Sequence, residues 1–240
     1  MTRVGLLGDG ANAAANAVGD AGGEPVVGRD AVGDVDVLVA LGEDALLDAV
    51  EAQAGTPVLP VDAGAGYGGV ARDDLPEALA DVATGDYEVR DQPTLSATVG
   101  GEETRALADV HLVTDEPARI SEYAIRDGDD DVDTVRADGV VAATPAGSRG
   151  YASDAGGPLL SGDADTVAVV PIAPFRVAKP RWVLGPPVSL TVVRETAAVA
   201  VFADGRDAGY ATPDEPVELA WGVPLPVAVV AASAPAASSA

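Results

Sequence analysis

Apolar and polar positions follow two regimes along the chain. In the first third, short continuous apolar runs alternate with helical patterns. Arg3 to Leu7 is one such run; Gly8-Asp9-Gly10 follows, then an Ala/Asn-rich stretch that predicts a helix to about Val18. Glu24 to Gly28 predicts a second short strand. Val35 to Leu41 is an apolar run broken only by Asp36, as expected of a parallel strand buried on both faces. A helix is expected over Ala45 to Ala54, a strand over Pro57 to Val61 and a helix over Leu75 to Val82. Strands and helices in alternation describe an α/β unit with a parallel sheet, whose ligands sit at the carboxyl ends of the strands. Asp44 and the Gly-rich segment Asp62 to Gly69 lie at such ends.

From about Tyr87 the period changes. β-like runs recur at Tyr87–Val89, Thr94–Val99, Val110–Val113, Ile120–Ile125, Thr134–Arg136, Val140–Ala143, Thr166–Pro171, Val188–Val193, Ala198–Phe202 and Val217–Leu219, with turn signals such as Gly100-Gly101, Asp127-Gly128 and Asp204-Gly205 between them. Many short strands with Gly, Pro and Asp turns predict a mostly-β, sandwich-like second domain. The expected domains are 1–88 (α/β, nucleotide-binding), 89–225 (mostly β) and a flexible tail, 226–240. The uncharged stretch from Leu219 to Ala240 is long enough to span a bilayer, but Pro224, Pro226 and Pro235 interrupt it. A final strand plus tail is the expectation, and no membrane partner.

Composition narrows the chemistry. Hydrophobic residues make up 48% of the 240 and aromatics 4%, so the core is built of Val, Ala and Leu. No cysteine is present, which excludes disulfides and thiolate metal sites. The net charge is −25, from 39 acidic and 14 basic residues, and Lys179 is the one lysine. That balance excludes a general nucleic-acid binder, which needs a basic face. Acids spread along the chain suggest a surface adapted to high salt, where repulsion is screened. The expectation is a cytoplasmic protein of a halophile. No secretory leader is read at the N-terminus, where Asp9 interrupts the first apolar run. The acidic run Asp127 to Asp133 reads as a solvated turn rather than a cation site.

Three local signals carry candidate chemistry. Gly8-Asp9-Gly10 with Ala13 gives G-x-G-x-x-A after a strand, either a weak dinucleotide fingerprint or a tight strand-to-helix turn. His111 is the single histidine and sits in an apparent strand; a partly buried or strand-surface position fits it better than catalysis. The third signal is Thr144 to Leu160, TPAGSRGYASDAGGPLL, after the run Val140–Ala143. Its small residues would let a backbone approach a ligand, its hydroxyls and N–H groups could hold phosphate or ribose, and Tyr151 offers an apolar ring with a polar tip. A Gly-rich connection from strand to helix is the alternative.

The third signal extends into a resemblance. Asp138-Gly139, the apolar run, Thr144-Pro145-Ala146-Gly147-Ser148-Arg149-Gly150-Tyr151 and Ser153-Asp154-Ala155-Gly156-Gly157-Pro158 resemble the signature of NAD kinases. So do Val170-Pro171-Ile172-Ala173-Pro174, Lys179-Pro180-Arg181-Trp182-Val183-Leu184 and Asp204-Gly205. The chain looks like a divergent haloarchaeal member of that family. The resemblance implies an N-terminal α/β domain and a β-sandwich-like C-terminal domain. It implies transfer of a phosphoryl group from ATP or polyphosphate, with Mg²⁺ or another divalent cation, to the adenosine ribose 2′-hydroxyl of NAD. It also implies a homo-oligomer, dimer or tetramer.

By the same resemblance Asp44 is the catalytic base and Gly42 part of the cofactor site, within Gly42-Glu43-Asp44-Ala45-Leu46, which keeps the first glycine and the aspartate of the family's GGDGT and has lost its second and third glycines and its threonine. Asp62 opens the segment similar to N-x-G-x-x-G-F. Asp109 would accept a hydroxyl hydrogen bond where the family has an Asn-Glu pair, with Ala108 in place of the amide. Asp138 would hold the nicotinamide amide; Thr144, Ser148 and Tyr151 would line the pocket, and Gly147 would permit close approach. Arg149 stands at a family threonine and could pair with a phosphate or with a neighbouring acid. The altered GEDAL stretch leaves an alternative: a paralogue that binds a dinucleotide as a sensor or regulatory subunit without phosphorylating it. No metal-ligating residue is assigned.

Overall fold

Four strands begin the first sheet: β1 (Arg3–Gly8), β2 (Glu24–Val27), β3 (Val37–Leu41) and β4 (Val58–Val61), parallel in the order β2-β1-β3-β4. The structure is a computed structural model and describes residues 1–28, 31–52, 54–64, 66–116 and 119–234. All five residues of β3 are buried, as its unbroken apolar run requires. Helices α1 (Ala11–Asp20), α2 (Glu43–Glu51) and α3 (Leu75–Thr84) each follow a parallel strand. Ala11, Ala14 and Val18 of α1 and Ala78, Leu79 and Val82 of α3 share one core with Val4, Leu6, Val37 and Val39. α2 packs on β3 and β4 outside that cluster. β5 (Glu88–Gln92) ends this part of the chain.

The next stretch holds β6 (Leu95–Val99), β7 (Glu102–Ala106), β8 (Asp109–Thr114), β9 (Ser121–Asp127), β10 (Asp130–Ala137), β11 (Gly139–Ala143), a short helix α4 (Tyr151–Asp154), β12 (Val167–Ile172), β13 (Trp182–Leu184), β14 (Val188–Arg194), β15 (Val199–Ala203), β16 (Arg206–Tyr210) and β17 (Pro216–Trp221). They form two antiparallel sheets, β10-β9-β14-β17-β6-β7 and β13-β12-β11-β8-β15-β16. One core joins the inner faces: Leu95, Tyr123, Ile125, Leu190 and Leu219 from the first sheet; Val110, Leu112, Val140, Val169 and Val201 from the second. This is the sandwich expected from period-two strands. The outer face of the second sheet is covered in part. Val141, Ala143, Ala168 and Val170 pack there against Ala152 of α4 and Leu160.

β18 (Leu225–Val229) then returns to the first sheet, parallel to β4 and antiparallel to β5, completing the order β2-β1-β3-β4-β18-β5. The chain thus forms two compact units, Met1–Gln92 with the segment from Pro224, and Pro93–Val223. The flexible tail expected from 226 is corrected over its first residues. Leu225, Val227, Ala228 and Val230 are buried because they close an otherwise interrupted sheet. The rest of that expectation, 235–240, lies outside the described residues.

Two other features differ from the sequence pattern. α2 starts at Glu43 rather than Ala45, with both acids in its first turn, where the positive end of the helix dipole favours them. Three strands with no clear apolar alternation, β7, β13 and β16, each lie at a sheet edge, where one flank needs no partner. Among the described residues no helix is long and apolar enough to cross a membrane.

Candidate functional site

The first unit presents its chemistry where β3 turns into α2. Gly42 precedes the helix, its N–H donating to the Val61 carbonyl at 2.8 Å. Glu43 and Asp44 follow, both exposed. Glu43 Oε1 accepts a hydrogen bond of 3.1 Å from the Tyr67 hydroxyl, which ties the turn to the Gly-rich segment after β4. Asp62, the first residue of that segment, accepts from the Arg72 N–H and from its Nε, each at 3.2 Å. The Asp62 carboxylate therefore clasps its own loop. Arg72 also donates through Nη1 to the Asp9 carbonyl at 3.1 Å. The turn Gly8-Asp9-Gly10 has a packing reason of its own: a side chain at Gly8 would overlap the Leu41 carbonyl and the Ala45 methyl. A tight strand-to-helix turn is enough to account for this glycine.

In the second unit the segment after β11 is braced against the start of β8. The Thr144 N–H donates to the Ala108 carbonyl at 2.8 Å, and its hydroxyl donates to the Leu107 carbonyl at 2.7 Å while accepting from the Gly147 N–H at 3.2 Å. Ser148 Oγ donates to the Pro145 carbonyl at 2.7 Å and accepts from the Leu160 N–H at 3.1 Å. Both side chains are completely buried. Their hydroxyls shape the loop from inside. Gly147 permits a close approach, to protein: a Cβ there would overlap the Ala108 carbonyl.

Residues 107–109 are held from the other side by Asp204. It sits at the turn between β15 and β16, where Asp204 and Gly205 have φ of 51° and 73°, the conformation of a tight hairpin turn. Its carboxylate accepts from the N–H groups of Leu107 (2.7 Å), Ala108 (2.6 Å) and Asp109 (3.1 Å). Burial pushes its pKa up to about 6 against the pull of those three bonds, and the nearby Asp109 charge adds to the rise. The sequence marks this aspartate only as a turn residue, because its partners lie a hundred positions earlier.

Asp109 emerges from this clamp on the outer face of the second sheet. Its Oδ1 lies 2.9 Å from His111 Nδ1. The His111 ring lies between Phe202, stacked with centroids 5.1 Å apart, and Tyr151, tilted at 5.2 Å. Tyr151 is 43% exposed at the start of α4. Desolvation raises its pKa, and repulsion from Asp109 and Asp138 adds to that. The structure thus brings Asp109 and Tyr151 to one patch. Asp138 stands apart from Asp109. The Asp138 carbonyl accepts from the Thr114 N–H at 2.8 Å, at the far end of β8 from Asp109, about 17 Å along the strand at ~3.4 Å per residue. The Tyr123 hydroxyl also donates to that carbonyl, and the Asp138 side chain is exposed.

Among the described residues no group of three or more His, Asp or Glu is placed to hold a metal ion. A Mg²⁺ carried on substrate phosphates needs only one or two protein carboxylates. The exposed pair Glu43 and Asp44 fits that demand.

Comparison with known proteins places these residues in context. The sequence profile of the ATP-NAD kinase C-terminal domain matches residues 107–227, which include the braced loop, Asp109, Asp138, Tyr151 and Asp204. An NAD kinase of Clostridium perfringens (strain 13) is 36% identical over 149 residues, 58% of this chain and 54% of that protein. The chain spans about half the length of the curated relatives it matches. Among solved structures, an NAD kinase from Archaeoglobus fulgidus in complex with ATP has a TM-score of 0.77 at 23% identity, covering 94% of this chain and 92% of that one. Yeast NADH kinase complexed with NADH has a TM-score of 0.80 at 16% identity, covering 95% and 83%. At such identities the two structures speak for the fold.

Proposed function

As the chain belongs to the NAD kinase family, its match spanning half its length, we propose that it phosphorylates the 2′-hydroxyl of the adenosine ribose of NAD with ATP. In that reaction an O–P bond forms to the ribose oxygen, the bond from the γ-phosphorus to the β–γ bridging oxygen breaks, and ADP leaves. The hydroxyl proton needs an acceptor, and Asp44, an exposed carboxylate at the start of α2, is the proposed base. Asp109 is the proposed acceptor for a ribose hydroxyl and Tyr151 the wall against which a base lies. Asp138 is the proposed partner of the nicotinamide amide. Thr144, Gly147 and Ser148 act through the shape of the loop. Glu43 and Asp44 would stand beside a Mg²⁺ brought in on ATP, which neutralises phosphate charge when bound.

The observation that carries the reading is the patch of Asp109, at the start of β8, and Tyr151, at the end of a loop whose own hydroxyls are internally satisfied, within the matched segment. A second reading, a dinucleotide-binding paralogue without kinase activity, is favoured by Glu43. Its carboxylate, held by Tyr67, places negative charge where a phosphate would approach. The spread of acidic residues supports a high-salt cytoplasm as the setting. A homo-oligomer belongs to the same proposal.

The test uses purified full-length protein with NAD, ATP and MgCl₂ in buffers from low to molar KCl. Formation of NADP supports the kinase. NAD binding by calorimetry with no NADP formed would replace it by the second reading. Absence of both would overturn the two together.

A further inference from the structure

His111 is the single histidine of the chain, and the proposed chemistry leaves it without a task. On β8, Val110 and Leu112 point into the sandwich core, so Asp109 and His111 share the opposite face. The flanking strands set its neighbours: Val141 of β11 on one side and Phe202 of β15 on the other. Phe202 stacks on the imidazole, and Tyr151 reaches it from α4. The imidazole is 15% exposed and the Asp109 side chain 9%. Three rings and one carboxylate therefore meet at a partly covered spot.

The chemistry of the pair fixes its orientation. An ionised carboxylate only accepts hydrogen bonds, so the nitrogen facing Asp109 carries a proton and Nδ1–H donates. The bond holds one carboxylate oxygen in place and leaves the other for a ligand. It also sets the tautomer, with the proton on Nδ1. The stacked Phe202 and the tilted Tyr151 hold the ring plane, and through it the Tyr151 ring. Ala108, the residue before Asp109, has no polar side chain to share this work.

We propose that His111 is a positioning residue of the dinucleotide site. It presets the Asp109 carboxylate for a ribose hydroxyl and the Tyr151 ring for a planar base, so the nucleoside meets an ordered acceptor and an ordered wall. The proposal rests on the NAD-binding reading given above and adds the residue that sets its order. A group ordered before binding acts on affinity. Its loss is therefore read in NAD binding and in the KM for NAD, while kcat and the KM for ATP stay close to the parent's.

Three variants separate the two contacts. His111→Ala removes both, and NAD affinity is expected to fall about tenfold. His111→Asn restores a donor at the place of Nδ1 without the ring, and His111→Phe restores the ring without the donor. Each is expected to recover part of the loss. NAD and ATP binding are measured by calorimetry on parent and variants, alongside NADP formation, with near-UV circular dichroism reporting the fold. The proposal is upheld if NAD affinity falls in His111→Ala, recovers partly in His111→Asn or His111→Phe, and ATP binding is unchanged. If the parent binds NAD and His111→Ala binds it equally well, the positioning role is overturned while NAD binding stands. A parallel loss for ATP and NAD with an altered spectrum, unrelieved by the other two variants, also overturns it, since that marks a structural residue. If the parent binds no NAD, the underlying reading fails, and the proposal with it.

Discussion

The loop after β11 and the turn after β3 both lead from a buried strand towards a helix, and they use their polar groups in opposite ways. In the loop, Thr144 and Ser148 are fully buried and bonded to backbone on both sides. Asp204 adds three bonds from behind. The frame is closed, and Asp109 and Tyr151 stand on it. In the turn, Glu43 and Asp44 are exposed, and the Tyr67 hydroxyl donates to Glu43. A carboxylate that must take a proton benefits from exposure; a surface that must recognise a nucleoside benefits from order. Under the proposed function, recognition would sit on an internally bonded frame and phosphate handling on an exposed turn.

The contrast breaks first at Asp44. If the turn handles proton transfer, Asp44→Asn should lower the rate of NADP formation by about 10²–10⁴-fold, the usual range for a general base, with NAD binding intact. Activity within a few-fold of the parent would remove Asp44 from the chemistry. The frame is tested at Gly147. Gly147→Ala forces a methyl against the Ala108 carbonyl and should cost about 3 kcal/mol of unfolding free energy in urea titration. A neutral result would mean that the loop shifts freely and is no frame.

Asp204 gives the frame a pH signature. In the unfolded chain its carboxyl loses the proton near the ordinary value; in the fold it does so only near 6. Between those values the folded state binds more proton, so stability falls as pH rises through the window and is level above it. Relative to Asp204→Asn, the parent should lose on the order of 2 kcal/mol between pH 4 and 6.5, read from urea titrations at each pH. A change of opposite sign would mean that the three N–H donors outweigh burial. The smallest effect belongs to the turn. Glu43→Gln keeps an acceptor for Tyr67 and removes a carboxylate proposed to stand beside the Mg²⁺ on ATP, so the KM for ATP should rise about threefold, on the order of 0.7 kcal/mol. A fall would show Glu43 opposing the phosphates instead, as the second reading has it.

The sequence pattern carries the interior strands and loses the margins. β3, β11 and β12 are apolar because both of their faces are covered, so any window finds them. β7 is Glu102-Glu103-Thr104-Arg105-Ala106, and its pairing with β6 is set by the hairpin turn and not by burial. β18 hides behind Pro226 because a strand that arrives last carries no local mark of its partners. At the site, the motif around Tyr151 is readable as a motif, but the work of its hydroxyls is not: Thr144 and Ser148 look like ligand donors until the Leu107 and Pro145 carbonyls are in place. His111 looks bland for the same reason. Asp109 is two positions away and visible, whereas Tyr151 comes from α4 and Phe202 from β15, and they meet it only in the folded sheet.

The return of β18 also governs the order in which the protein can be completed during synthesis. β4 and β5 have no direct pairing; β18 lies between them. Every residue of the sandwich leaves the ribosome before Leu225 does. The sandwich can therefore close while the first sheet still has a gap the width of one strand. In the finished fold the two passages of the chain that bound the sandwich are joined, Gly222 N–H to the Thr94 carbonyl at 2.8 Å and Arg105 to both Thr94 and the Val223 carbonyl. Leu225 follows within three residues of that joint, and both of its sheet partners, β4 and β5, precede it in the chain.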